Sequence, residues 1–211
     1  MRVMAAVLSL SVLAGCAKSP RGASADSAAP ADGGVPANPA PAAPAGGAQR
    51  PLSPRDSARV TVGSATLAVN YGRPSMRGRA IFGQLVPYDR VWRTGANEAT
   101  AFTTSRDLAF GAATVPAGSY TLYTLPKAAT APCSGEGGGS PAGELIVNKQ
   151  TGQWGTEYDQ GQDLARIPMQ GCRLSAPVEQ FEIRIVPQGS DAGVLQLAWE
   201  TTRYSIPFRV K

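Results

Sequence analysis

The feature of this chain that most constrains its fold is an alternation of apolar and polar residues with a period of two, between residues 59 and 210. Successive side chains of a strand point to opposite sides, so this alternation predicts strands with one buried face. Clusters of glycine, proline and serine separate the alternating segments and predict turns. The predicted strands are residues 59–62, 65–71, 99–104, 108–110, 119–125, 144–148, 164–169, 178–186, 193–200 and 203–210.

Many short strands at close spacing favour an all-β domain over residues 52–211, a length that suits one domain with one core. We expect an antiparallel two-sheet β-sandwich, with a jelly-roll arrangement as the alternative. No window shows the 3.6-residue period of an amphipathic helix of normal length, and residues 81–85 would form at most one short helical turn.

The beginning of the chain has the pattern of an export signal. A charged start precedes an apolar run over residues 3–13, which is shorter than the roughly 20 residues that a membrane span needs. Leu13-Ala14-Gly15-Cys16 resembles the lipobox of bacterial lipoproteins, which implies removal of residues 1–15 and lipidation of Cys16. No aspartate follows the cysteine, as in lipoproteins sent to the outer membrane. The alternative is an ordinary secretory signal with a chance cysteine.

Residues 16–51 consist almost wholly of alanine, proline, glycine and serine, with no aromatic residue. Such a segment buries too little apolar surface to offset the entropy of ordering, so we expect a disordered tether behind the lipidated cysteine. We therefore predict a lipid-anchored protein of the bacterial cell envelope, located at the outer membrane and facing the periplasm. We predict the membrane as a partner, which the protein would contact through the lipid on Cys16.

Two kinds of residue restrict the chemistry of the domain. Cys133 and Cys172 form an even pair in an exported chain, so a disulfide is predicted, with free thiols or a metal site as alternatives. The sequence contains no histidine, which excludes histidine-dependent catalytic triads and histidine-ligated zinc. We therefore predict neither a metal nor a cofactor. The arginines are spread along the chain without a lysine-rich run, so nucleic acid is not a predicted partner.

Several motifs resemble those of the bacterial domain of unknown function 2911 (DUF2911) family. They include Asn70-Tyr71-Gly72-Arg73-Pro74-Ser75, Val91-Trp92-Arg93-Thr94-Gly95-Ala96-Asn97-Glu98-Ala99-Thr100, Pro116-Ala117-Gly118-Ser119-Tyr120 and Trp154-Gly155. The resemblance covers nearly all of residues 52–211 and implies an exported bacterial protein, often a lipoprotein, without naming an activity. A cysteine-bearing insertion around residues 134–139 departs from the family pattern.

A polar cluster forms the first candidate site; its members are Arg73, Arg77, Arg79, Arg93, Asn97 and Glu98. Guanidinium groups bind carboxylate or phosphate in a planar, bidentate manner, so the cluster suits an anionic small ligand. The same residues also predict a structural brace, which the pattern favours over a ligand site, in which Arg93 pairs with Glu98 across the turn at Gly95, because half-buried polar groups must be paired.

A second candidate cluster combines Trp154, Tyr158 and Asp159. Aromatic faces beside carboxylates suit a sugar ligand, such as a cell-wall fragment. The alternative is that the aromatic rings pack and the acidic side chains are solvated. We expect a binding or structural module rather than an enzyme, with a carboxylate-dependent hydrolase of envelope glycans as the alternative function; its candidate acids are Glu98, Glu157, Asp159 and Asp163.

Overall fold

The computed structural model describes residues 52–211, which belong to one compact unit of the chain, Gly46–Lys211. The described part is all-β, as predicted, apart from a short 3-10 helix at Gln160–Gln162. The strands are β1 (Arg55–Val62), β2 (Ala65–Gly72), β3 (Thr100–Thr104), β4 (Leu108–Phe110), β5 (Ala113–Val115), β6 (Gly118–Pro126), β7 (Ser140–Asn148), β8 (Asp163–Pro187) and β9 (Ala192–Val210).

All strand pairs are antiparallel, and the nine strands form one sheet in the order β1-β2-β3-β6-β7-β8-β9-β4-β5. The two-sheet division that the sequence predicts, and its jelly-roll variant, are not confirmed. The physical reason is that β8 and β9 are long enough to bend without breaking the ladder of hydrogen bonds. No helix among the described residues has both the length and the apolar character to cross a membrane.

The β1–β2 hairpin illustrates how the alternation determines the local structure. In β2 the alternate side chains Leu67, Val69 and Tyr71 are buried. Val62 pairs with Ala65, which leaves a two-residue turn in which Gly63 adopts a φ of 55°. That conformation suits glycine because no Cβ is present to clash, so the predicted tight turn is confirmed.

The long strands β8 and β9 each merge two strands that the sequence separates. Shifts in the β8–β9 register occur between Arg173 and Val178 and again before Glu182, where the strands bulge. Glu200 of β9 has a φ of 54° and pairs with Val178 at this bulge. A bulge bends a strand while the ladder continues, so turn-forming residues here do not end the strand. Residues 81–85 form turns and no helix.

A cluster of aromatic side chains occupies one end of the core. Trp92 stacks on Trp199 with ring centroids 5.8 Å apart, and its edge contacts Phe181 at 5.1 Å. Phe82 packs edge-on against Trp92 and against Tyr204. These five rings come from three segments, the loop between β2 and β3, β8 and β9, so the cluster fixes that loop onto β8 and β9.

The predicted disulfide is confirmed: Cys133 is bonded to Cys172, 39 residues further along the chain. The cysteine-bearing insertion is also held by hydrogen bonds, since Gln196 donates to the Glu136 carbonyl at 2.7 Å. The predicted signal peptide (1–15), the lipidated Cys16 and the tether (16–51) lie outside the described residues.

Candidate functional site

A cleft of about 690 Å³ opens beside the aromatic cluster. Its walls come from the loop between β2 and β3, from the segment that precedes β8, and from single residues of β6, of β9 and of the segment before β1. The lining residues are Ser53, Pro74, Arg79, Leu85, Val86, Val91, Trp92, Arg93, Gly95, Ala96, Asn97, Tyr123, Gly155, Thr156, Tyr158 and Trp199. A volume of this size is typical of sites for small ligands.

The stretch from Val91 to Thr100 forms one wall of the cleft and has an unusual backbone. Trp92 pairs with Thr124 of β6 through two backbone hydrogen bonds of 2.7 and 2.9 Å. Thr94 then adopts a φ of 54° and Asn97 a φ of 65°. A β-branched residue in this left-handed region is strained and persists only where its surroundings hold it.

The strained backbone is held in place by threonine hydroxyls and by a neighbouring segment. The hydroxyl of Thr100 donates to the Thr94 carbonyl at 2.7 Å, and the hydroxyl of Thr94 lies 3.1 Å from that of Thr124. After the turn, the Gly155 amide donates to the Asn97 carbonyl at 2.9 Å. Hydrogen bonds within the protein therefore hold this wall in one conformation.

Arg93 is half-buried in this wall, and no acidic side chain of the described domain pairs with it. Its Nε donates to the Gly95 carbonyl at 3.2 Å, and its aliphatic part lies over Gly155. Within residues 52–211, neither of its terminal nitrogens has a hydrogen-bond partner, and no carboxylate lies within ion-pair distance. The bond from Nε to the Gly95 carbonyl thus orients the guanidinium.

The Arg93–Glu98 ion pair expected from the sequence is wrong, because Glu98 pairs with Arg55 at 2.8 Å. The positive φ of Asn97 turns the backbone, and Glu98 then pairs with Trp154, so its side chain leaves the wall that holds Arg93. A hydrogen bond with its own backbone amide and one from Arg55 lower the pKa of Glu98.

Other members of the first cluster have separate roles. Arg73 is a brace: it donates to Asp56 at 3.1 Å and to the Phe181 carbonyl at 3.2 Å. Arg77 donates to the Leu52 carbonyl at 3.3 Å and is exposed. Arg79 lines the cleft, and it donates to the carbonyls of residues 75 and 76 at 2.9 Å each.

The second cluster contributes one residue to the cleft, the ring of Tyr158. Its hydroxyl donates to Asp163 at 2.7 Å and accepts from Arg166 at 2.9 Å. Burial, and then the bond to Asp163, raise the pKa of Tyr158 to about 12. Trp154 and Asp159 do not line the cleft: Trp154 is 47% exposed, and Asp159 accepts from the Gly161 amide at the start of the 3-10 helix.

Tyr123 likewise offers a ring rather than a hydroxyl to the cleft. Its hydroxyl donates to the Glu157 carbonyl at 3.0 Å and accepts from Gln153 at 3.2 Å, and burial raises its pKa. The sequence does not single out Tyr123 or Trp199 as site residues. Tyr123 and Trp199 lie inside strands whose alternation marks them only as core, so no local signal distinguishes them.

The charged side chains in the described lining of the cleft are of one sign. Among the described residues that line it, Arg79 and Arg93 are charged and none is acidic. The polar side chains of Asn97 and Thr156 add hydrogen-bonding capacity beside them, and Asn97 makes only a long 3.5 Å contact to the Ser53 carbonyl. Within residues 52–211, no group of three or more Asp, Glu, Cys or His side chains lies close enough to hold a metal ion.

Comparison with known families gives one match. A family model described as "Protein of unknown function (DUF2911)" matches residues 53–208. The searches of curated proteins and of solved structures returned no significant match.

Proposed function

We propose that this chain, which belongs to the DUF2911 family, is a binding module of the bacterial cell envelope whose cleft recognises a small ligand with an anionic group. One observation carries the proposal: among residues 52–211, the lining of a cleft of ligand size has two arginines and no acidic residue. In a partly desolvated site, a guanidinium with open donors attracts carboxylate or phosphate strongly.

The arrangement of Arg93 supports this proposal. A residue that served only the fold would be expected to have its charge paired, as Arg73 has with Asp56. Within the described domain, Arg93 instead uses only Nε, through the Gly95 carbonyl, and neither terminal nitrogen has a partner there. The strained backbone at Thr94 beside it is a feature that clusters at functional sites.

The remaining surfaces of the cleft suit the body of the ligand. The rings of Tyr123 and Tyr158 form aromatic walls, and their hydroxyls are already bonded within the protein. Asn97 and Thr156 can bond hydroxyl or amide groups. An acidic sugar or an acidic cell-wall fragment carries an anionic group as well as hydroxyl or amide groups. We propose this class for the ligand.

No contact in the cleft favours the alternative hydrolase. None of its four candidate acids is among the residues that line the cleft. The four are Glu98, Glu157, Asp159 and Asp163. Asp163 also accepts from Asn148 at 2.9 Å and from Arg166, so its carboxylate is committed to the protein. A hydrolase activity therefore remains a hypothesis that rests on the sequence alone.

We further propose that Cys16 is lipidated and holds the domain at the outer membrane, facing the periplasm. The support is the lipobox sequence that ends at Cys16. Cys16→Ser should leave an unprocessed or mislocalised precursor. Normal membrane fractionation of that variant would contradict the anchor.

We propose that the single sheet curves so that its two halves pack against each other as two layers. Tyr71 of β2 lies edge-on to Phe181 of β8 at 5.7 Å, and its hydroxyl accepts from the Ile183 amide at 3.0 Å. These strands are not neighbours in the sheet order, so the sheet must curve for them to meet.

A thermal-shift screen of matched pairs tests the ligand proposal. N-acetylmuramic acid is compared with N-acetylglucosamine, and glucuronate with glucose, so that the members of each pair differ in an anionic group. A ligand at 100 times its Kd adds about 2.7 kcal/mol of stability, equivalent to about 5 to 10 °C in Tm for a domain of this size. An anionic compound should raise the Tm of the wild type and not of Arg93→Gln. Equal shifts within each pair would contradict the proposal.

A further inference from the structure

The second half of β8 has one edge that no strand of the described domain pairs with. Strand β7 pairs with β8 only over residues 163–171, whereas β9 pairs with it as far as Pro187. The Ile183 amide points away from β9, because it donates to the Tyr71 hydroxyl at 3.0 Å. Residues two apart in a strand direct their backbone groups to the same side, so those of Ile185 face this free edge as well.

Ile185 leaves backbone groups open at the free edge. The edge is covered further back, where the Phe181 amide donates to the Pro74 carbonyl at 2.9 Å. Within residues 52–211, by contrast, neither the amide nor the carbonyl of Ile185 has a hydrogen-bond partner on that side. Ile185 is only 6% exposed, and backbone groups of buried residues are nearly always paired. The open edge therefore suits a partner that supplies backbone donors and acceptors.

A groove of about 510 Å³ runs along this edge. Its lining consists of residues 56–60 of β1, residues 182–187 of β8 and Tyr71. Ala58 and Val60 are partly exposed and lie on the face of β1 that also carries buried Val62. Part of the core face of β1 is therefore left uncovered beside the free edge of β8, and these two side chains form an apolar floor.

The charged side chains of the groove lining are mostly paired within the protein. Asp56 accepts from Arg73 at 3.1 Å, and Glu182 pairs with Arg184 at 2.7 Å. The other charged residue of the lining is Arg59, which is exposed and alternates in direction with the side chains of the floor. The floor is therefore apolar, and the groove suits an uncharged segment better than a strongly charged ligand.

We infer that the free edge of β8 binds an extended peptide segment of another protein, which joins the sheet as an additional strand. A peptide backbone presents amides and carbonyls at the spacing of a strand edge, and this mode of recognition is known as β-augmentation. One row of its side chains packs on Ala58 and Val60, so the peptide has apolar residues at alternate positions. The site is distinct from the proposed cleft, because no residue lines both.

Peptide titration tests the inference with the chain expected after processing, residues 16–211, carrying Cys16→Ser to leave out the lipid. The probe is a labelled peptide with blocked termini and the sequence glutamate-valine-threonine-valine-threonine-valine-lysine. Two control peptides carry N-methyl groups on the valine amides or on the threonine amides. Fluorescence anisotropy should show saturable binding of the probe. Because only one edge of the added strand pairs with β8, one control should lose binding and the other should retain it.

A pair of lysine variants tests the position of the peptide. Ala58→Lys adds a charge to the floor, and Thr61→Lys adds the same charge to an exposed position of β1 outside the groove lining. Ala58→Lys should raise the Kd of the peptide at least about tenfold, because the bound peptide would remove water from the added charge. Thr61→Lys should leave the Kd unchanged, and so should Arg93→Gln, whose side chain lies in the cleft. Melting curves verify that each variant is folded.

Amide hydrogen exchange measured by NMR gives a readout that needs no variant. In the free chain, the Ile185 amide should exchange at least about tenfold faster than the Arg184 amide, which faces β9, and the peptide should slow it. Four results would each overturn the inference: a protected Ile185 amide in the free chain, no saturable binding, binding of both methylated peptides, or equal losses in the two lysine variants. A dimer that Ala58→Lys dissociates would also overturn it, because the edge would then belong to a second copy of the chain.

Discussion

Gly155→Ala tests how the wall of the cleft is built. A Cβ at this position would lie 2.7 Å from the Asn97 carbonyl oxygen, 2.8 Å from Cδ of Arg93 and 3.1 Å from its Cβ. The carbonyl cannot retreat easily, because it accepts the hydrogen bond from the Gly155 amide. Either the Arg93 side chain must move, or the hydrogen bond between Gly155 and Asn97 must lengthen.

The cost of this overpacking should be about 1 to 3 kcal/mol. For a domain of this size the Tm should fall by about 2 to 12 °C, at about 2 to 4 °C for each kcal/mol. The displacement of Arg93 should also weaken binding of the anionic compound selected by the screen. Differential scanning calorimetry measures the first effect and isothermal titration the second.

Gly137→Ala is the matched control. Neither glycine has a positive φ, and a Cβ at Gly137 would meet only Val194, at an ordinary 3.7 Å. We expect its stability to stay within about 1 kcal/mol of the wild type. If Gly155→Ala and Gly137→Ala melt alike, the close packing of Arg93 over Gly155 does not exist in solution, and the proposed orientation of the guanidinium loses its basis.

Three further predictions concern the fold. Replacement of both cysteines of the disulfide, which closes the 133–172 loop, should cost about 4 kcal/mol on the chain-entropy model; unchanged chemical denaturation would refute this. The unfolding free energy should fall as pH rises from about 10 to about 12, because the unfolded chain loses the Tyr158 proton first, and Tyr158→Phe should flatten this fall. In double-mutant cycles, Arg93 and Glu98 should have additive effects on Tm, whereas Arg55 and Glu98 should be coupled; coupling of the first pair would restore the brace.

Local patterns predicted the parts of the fold that depend on neighbours in sequence. The alternation over β2 and the glycine at position 63 were sufficient for the first hairpin. An even number of cysteines in the domain was sufficient for the disulfide. The residues that determine the hairpin lie in one segment, and two cysteines admit only one pairing. Neither prediction therefore needs the tertiary arrangement.

Features that depend on bulges could not be predicted in this way. The sequence divides β8 into two strands because Gly171 begins a segment that resembles a turn, yet the bulge near Val178 keeps the strand continuous. The predicted Arg93–Glu98 pair failed for a similar reason. Thr94 and Asn97 have positive φ values, which non-glycine residues rarely adopt, so an extended backbone was the wrong assumption there.

The candidate site was predicted in part. Arginine-rich motifs pointed to Arg79, Arg93 and Asn97, which do line the cleft. Its other side, with Tyr123 and Trp199, comes from strands that are distant in sequence and look like ordinary core. Which arginine is paired and which is open follows only from three-dimensional proximity, as the different partners of Arg73 and Arg93 illustrate.

Isothermal titration of the anionic compound selected by the screen, with its neutral counterpart, tests the central claim most directly. The domain is measured as wild type, as Arg93→Gln and as Arg106→Gln, whose arginine is exposed outside the cleft lining. A charged hydrogen bond is worth about 1.5 to 3 kcal/mol, so Arg93→Gln should raise the Kd at least about tenfold, while Arg106→Gln should leave it unchanged. Equal binding of the neutral counterpart, or an unchanged Kd in Arg93→Gln, would contradict an anion-binding cleft.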